Sequence, residues 1–183
     1  MFYSQTMSAA SRRVFFAFWP DAQLREALSA LAREVARETH GRPTAPEKLH
    51  LTLSFLGEQT TERIASLLAM ARGLRSEAFD LALDEIGGFP RTGIVWLGAS
   101  APPAALSVVH AALESALRDG GFPVEDRSYA PHLTLARRAR RAIHRRLPAP
   151  LAWRISSFCL MVSKLGARGP AYQTIGEWPL RAS

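Results

Sequence analysis

Apolar residues recur with two different periods along this chain, and the switching between those periods outlines its elements. Residues 13–19, RVFFAFW, form a continuous apolar run of strand length. Pro20 and Asp21 close that run and can start a helix, which Leu24, Leu28, Leu31 and Val35 carry at helical spacing through Arg37. Residues 40–48, HGRPTAPEK, read as a loop, and residues 49–56, LHLTLSFL, as a strand closed by Gly57. Thr60 or Thr61 caps a second helix, with Ile64, Leu67, Leu68 and Ala71 as its apolar stripe. Residues 79–86, FDLALDEI, alternate with period two, Gly87 and Gly88 suggest a bulge or bend, and residues 93–99 form another strand. The order then repeats. Pro102 and Pro103 open a helix with Leu106, Val109, Leu113 and Leu117 on one face, and Gly120 and Gly121 stop it. A loop with Pro123 leads into HLTLARR, and WRISSFCLMVSKL and YQTIGEWPL, separated by GARGP, read as a hairpin.

The letters HLTL occur twice, beginning at His50 and at His132. Alternate residues of a strand share a face, about 6.6 Å apart along the chain. His50 and Thr52 therefore share one face against Leu51 and Leu53, and His132 and Thr134 share one against Leu133 and Leu135. The leucines pack on helices, so the polar faces look into solvent or into a cleft. One His-x-Thr strand is commonplace on a solvated sheet. Two copies at corresponding places in two half-repeats point to a bilobal α+β fold with an approximate internal twofold and a central groove. Residues 12–183 are expected to form that single domain, behind a flexible leader at 1–11.

Two histidines converging on a groove suit a phosphodiester. With a reference pKa near 6.5, they can hold opposite protonation states near neutral pH, one as acid and one as base. Thr hydroxyls and Arg137, three residues after Thr134, can stabilise the charge that develops on phosphorus. The remaining histidines lack this setting: His40 falls in a loop, His110 in a helix and His144 among arginines. A metal site is the chemical rival, because neutral histidine is a good zinc ligand. No Cys pair, His-Glu-x-x-His or adjacent carboxylate completes a coordination set, so neither a metal nor another cofactor is expected.

Net charge is +7, with only Lys48 and Lys164 as lysines. Six arginines fall between positions 137 and 146, and that cluster reads equally as a polyanion contact or as a solvated face. Cys159 is the only cysteine and lies in an apolar run, so it reads as a small buried hydrophobe and no internal disulfide can form. No apolar run approaches the roughly 20 residues of a membrane span, and the N-terminus lacks a secretory pattern. A monomer in a reducing cytoplasm is expected.

The pairing of these motifs, with KLHLTLSFLGE, VWLG, PHLTLAR and a terminal WPL following RRVFFAFWP in order, resembles the bacterial and archaeal RNA 2′,3′-cyclic phosphodiesterases of the two-histidine phosphoesterase superfamily. These are also known as 2′-5′ RNA ligases. The resemblance covers nearly everything after the first dozen residues. It implies His50 as proton donor, His132 as proton acceptor, Thr52, Thr134 and Arg137 as phosphate contacts, and an aromatic of the first strand, Phe16 in preference to Phe18, near the nucleotide. The implied reaction is metal-independent hydrolysis of an RNA terminal 2′,3′-cyclic phosphate to a 2′-phosphate, with a reversible 2′-5′ RNA ligase activity open to the same groups. The partners implied are RNA 3′ ends or cyclic nucleotides. A phosphodiesterase of small cyclic nucleotides and a non-catalytic RNA-end-binding module remain as alternatives.

Overall fold

The computed structural model describes residues 11–166 and 169–181, which leaves the expected leader outside the described residues except at Ser11. Strand β1 (Arg12–Phe18) is buried from Val14 onward on both faces. Helix α1 (Ala22–Glu38) starts where the Asp21 side chain accepts a hydrogen bond from the Leu24 amide at 2.8 Å. The expected loop contains a two-residue strand, β2 (Arg42–Pro43), and a 3-10 turn. Strand β3 (Leu51–Gln59) carries the first motif, and α2 (Thr61–Ala71) follows a Thr60 cap. Then come β4 (Phe79–Phe89), β5 (Ile94–Gly98), α3 (Ala104–Asp119) and β6 (Leu133–Arg137), which holds the second motif.

The single run expected at residues 153–165 is two strands. β7 (Arg145–Ile155) starts inside the arginine cluster, and β8 (Ser157–Gly166) follows after Ser156. The division is one of partners: β7 pairs with β4, whereas β8 pairs with β1 and with β9 (Gly169–Pro179). The expected hairpin is therefore β8 and β9. The bulge expected at Gly87 and Gly88 falls elsewhere. β4 and β5 pair in step from Glu85 to Phe89, and the irregularity of β4 lies between Leu83 and Glu85, against β7. Gly87 is needed for space instead, because a Cβ there would run into the indole of Trp96.

The sheet order is β7-β4-β5-β6-β3-β1-β8-β9, with β2 added to β6. It divides into two four-stranded lobes, β3-β1-β8-β9 and β6-β5-β4-β7. Only one registered pair, Leu51 with Leu133, joins β3 to β6 among the described residues. The helices exchange lobes. α1 follows β1 but packs against β6 and β2, and α3 follows β5 but packs against β3. Each lobe is thus covered by a helix belonging in sequence to the other, which binds the halves where their sheets barely touch. The main core lies between the helices and the inner sheet face. Among the described residues no helix is long and apolar enough to cross a membrane.

Candidate active site

The bridge Leu51–Leu133 comes one residue after each histidine. Extending that antiparallel register by one residue in each direction sets His50 opposite Thr134 and Thr52 opposite His132. All four lie on the face away from the helices, since both leucines are buried, at 1% and 0% exposure. The four polar residues are half-buried. Neither threonine hydroxyl is engaged within the protein among the described residues, so both are free to donate to a ligand.

Each histidine is held by the same local device. His50 Nδ1 lies 2.7 Å from the Lys48 carbonyl, and His132 Nδ1 lies 2.7 Å from the Ala130 carbonyl. A carbonyl only accepts, so Nδ1–H donates in both rings and the neutral form leaves Nε2 as the unprotonated atom facing the groove. The repeat thus fixes the tautomer twice by the backbone two residues upstream.

Arg137 reaches this face because of a bulge. Trp96 pairs with Thr134 but Val95 pairs with Ala136, so Leu135 is an extra residue in β6. Leu135 and Ala136 are both fully buried, and Arg137 returns to the side of His132 and Thr134. Without the bulge, simple alternation would aim Arg137 at the helices. β3 repeats the device: Phe16 pairs with Ser54 and Ala17 with Thr52, leaving Leu53 extra. The twofold counterpart of Arg137 is therefore Phe55, an exposed ring with the Arg13 guanidinium 4.6 Å from its centroid. Sequence reading named Arg137 but missed Phe55 as its counterpart, although the constant offset from each HLTL motif was a usable signal.

Surroundings differ between the histidines. His50 stacks on Trp19 at 5.4 Å and 8°, meets Tyr172 edge-on at 5.4 Å and lies 5.0 Å from Phe15. The floor beside it is Phe15, Ala17, Cys159 and Met161. Burial lowers the His50 pKa to about 4; the Lys48 carbonyl opposes this, and the charges of Arg137 and His132 add to it. His132 meets only Phe89 among the aromatic rings of the described residues, edge-on at 5.3 Å.

The expected aromatic contact is corrected here. Phe16 is fully buried in the main core against Phe158 and Trp178, on the opposite face from His50. Phe15, Trp19 and Tyr172 are the rings that surround His50 instead. Cys159 is buried, and burial first, then Glu177, push its thiol up to about 12, so it acts as an apolar filler beneath Phe15.

The other three histidines stand apart. His110 stacks on Tyr129 at 3.7 Å, and the Tyr129 hydroxyl donates to the Thr52 carbonyl at 3.1 Å, which ties the loop before His132 to the strand of His50. His144 pairs with Glu85 at 2.9 Å. His40 takes a left-handed conformation after α1.

A family model for the 2′-5′ RNA ligase superfamily matches residues 19–167. The chain is 33% identical over 172 residues to the RNA 2′,3′-cyclic phosphodiesterase of Escherichia coli (strain K12), covering 92% of this chain and 97% of that protein. It is also 33% identical over 186 residues to the protein of that name from Thermus thermophilus, covering 92% and 90%. The crystal structure of Escherichia coli LigT complexed with 3′-AMP superposes with a TM-score of 0.83 at 32% identity, covering 93% of this chain and 99% of that one.

Proposed function

Because the chain belongs to the 2′-5′ RNA ligase superfamily, we propose that its groove hydrolyses the 2′,3′-cyclic phosphate at an RNA 3′ end to a 2′-phosphate. The observation that carries this reading is the twofold pair of histidines, each with Nδ1–H donated to a carbonyl and Nε2 left for chemistry. Water attacks phosphorus while neutral His132 Nε2 takes its proton. The bond from phosphorus to the 3′-oxygen breaks, and protonated His50 gives that oxygen a proton. Thr52, Thr134 and Arg137 stabilise the non-bridging oxygens, whose charge grows in the transition state. The same groups can serve a ligation in which the 5′-hydroxyl of a second RNA attacks phosphorus in place of water, the 3′-oxygen again leaving with a proton and a 2′-5′ linkage forming; in dilute solution hydrolysis dominates. A cytoplasmic monomer acting on RNA ends or cyclic nucleotides fits this reading.

A second assignment of the same chemistry rests on the buried state of His50. A histidine lowered to about 4 is neutral in the free protein, which suits a base better than an acid. In the first assignment, the substrate's negative charge must raise His50 on binding. A substrate with sulfur in place of the departing 3′-oxygen separates the two, because a thiolate leaves without a proton. Loss of the acid should then cost little and loss of the base should still cost heavily. If His50→Ala keeps near wild-type activity on the sulfur substrate, His50 is the donor; if His132→Ala does so, the roles exchange. Wild-type protein that leaves a 2′,3′-cyclic-phosphate RNA oligomer intact would overturn the proposed function.

A further inference from the structure

The arginines around the end of the catalytic strand fall into two groups that their positions in sequence do not separate. Arg145 Nη2 lies 2.7 Å from Glu34 and 3.6 Å from Glu38, and Arg146 Nη1 lies 3.1 Å from Asp84. Those guanidiniums are neutralised across the lobe. Arg33, Arg37, Arg42, Arg138, Arg140 and Arg141 are exposed, and among the described residues none of their side chains makes an ion pair or hydrogen bond.

Three segments bring this unpaired set together: the last two turns of α1, strand β2 and the loop after β6. Arg33 and Arg37 are one turn apart on α1 and line an open cleft with His40, Gly41 and Pro43. Arg42 pairs with Arg137 across β2 and β6, so the patch begins at the groove. Backbone contacts hold the crossing rigid. The amides of Arg140 and Arg141 donate to the Thr39 carbonyl at 2.8 and 3.3 Å, and that of Ala139 donates to the Gly93 carbonyl at 2.9 Å. Gly41 sits so close that a Cβ would come within 3.0 Å of the Arg137 carbonyl. His40 and Arg138 adopt φ of 52° and 57°, a region side chains rarely enter, so backbone strain is concentrated at this ridge.

Gathering like charges on a rigid ridge with no internal counterion costs free energy, and a chain of phosphates would offset it. We propose that this surface binds the ribose-phosphate backbone of the single-stranded RNA whose 3′ end reacts. The strand leaves the groove past Arg137, crosses Arg42 and Arg138, and runs over Arg140 and Arg141 toward the Arg33–Arg37 cleft. The arginine cluster of the sequence is thereby divided: Arg140 and Arg141 bind RNA, and Arg145 and Arg146 are engaged by carboxylates of this chain. The proposal rests on the RNA-end reading of the groove.

Binding of 3′-phosphorylated RNA oligomers of 2 to 10 nucleotides, followed by fluorescence anisotropy across a salt series, tests it. Wild-type affinity should rise with length. Arg140→Ala with Arg141→Ala should weaken the 10-mer about tenfold and make the salt slope shallower by about 1.4, at about 0.7 per lost phosphate contact. Arg33→Ala with Arg37→Ala, from a different element, should do the same. Arg72→Ala with Arg75→Ala removes equal charge at the end of α2 in the other lobe and should leave the slope unchanged. Equal weakening by all three pairs, or a wild-type slope in the first two, overturns the proposal. Hydrolysis of the cyclic-phosphate oligomer is read separately. If that fails while the slopes differ as expected, the reaction is wrong and the polynucleotide surface stands.

Discussion

The two halves of the groove share four letters, a tautomer-fixing carbonyl and a bulge, yet present their histidines in opposite surroundings. His50 is enclosed by Phe15, Trp19 and Tyr172, and its charged form is penalised. His132 follows an exposed loop and meets one exposed ring, Phe89. The repeated motif supplies equal geometry. The difference arises outside the motif, from Trp19 at the end of β1 and from Tyr172 on the far C-terminal strand β9. The proposed division into acid and base requires the internal twofold to be broken somewhere, and solvation breaks it at His50.

Removing either histidine should have the largest effect. His50→Ala and His132→Ala should each lower kcat by about 10² to 10⁴, the usual contribution of a general acid or base. Leu51→Ala, one residue away on the buried face, should instead cost about 2–5 kcal/mol of stability with activity per folded molecule largely kept. A histidine variant retaining more than about a tenth of wild-type kcat would show that the halves are not both catalytic.

Next comes the contrast between Arg137 and its twofold counterpart. Arg137→Ala should lower kcat about 10²-fold even on a cyclic mononucleotide, as loss of one transition-state donor does. Phe55→Ala should leave that rate within severalfold, because an aromatic ring cannot neutralise phosphate charge. Equal losses from the two variants would mean that the bulges place equivalent groups.

The solvation difference has its own signature in acid. The unfolded chain takes up a proton at His50 near pH 6.5, whereas the folded chain refuses it until about pH 4. The unfolded state binds more protons between those values, so this contribution is complete above pH 6.5 and is lost as pH falls to 4, by about 3 kcal/mol. His50→Gln should therefore lose less stability than wild type between pH 7 and pH 4 in thermal melts. An identical pH profile would mean that His50 is not held neutral by burial. Chelation should have the smallest effect of all. Activity should be unchanged after exhaustive EDTA, and a loss restored by zinc or manganese would replace the two-histidine mechanism.

Several features of the fold could be read directly. Helical spacing placed α1, α2 and α3, and period-two alternation marked β4 and the polar face of each HLTL strand. The choice between Phe15 and Phe16 could not be read, because every residue of β1 from Val14 to Phe18 is buried and an all-apolar run carries no parity. The register of strand pairing decides it: Phe15 lies opposite Phe55 and Ala17 opposite Thr52 on the groove face, which turns Phe16 into the core. The boundary at Ser156 was equally silent, since both sides of it are strand-like and only the change of partner marks it.

By itself, the sequence determined which groups are offered for the proposed chemistry and which face of each strand they share, because alternation along an extended backbone is a local property. The tertiary structure decided everything that depends on contacts between distant segments. It exchanged the helices between lobes, brought β9 to His50, turned Arg137 into the groove through an extra residue in β6, and paired Arg145 and Arg146 with carboxylates while leaving the Arg140 and Arg141 side chains unpaired among the described residues. Charge, solvation and strand partnership depend on what packs nearby, and a repeat of four letters is too short to specify its neighbours.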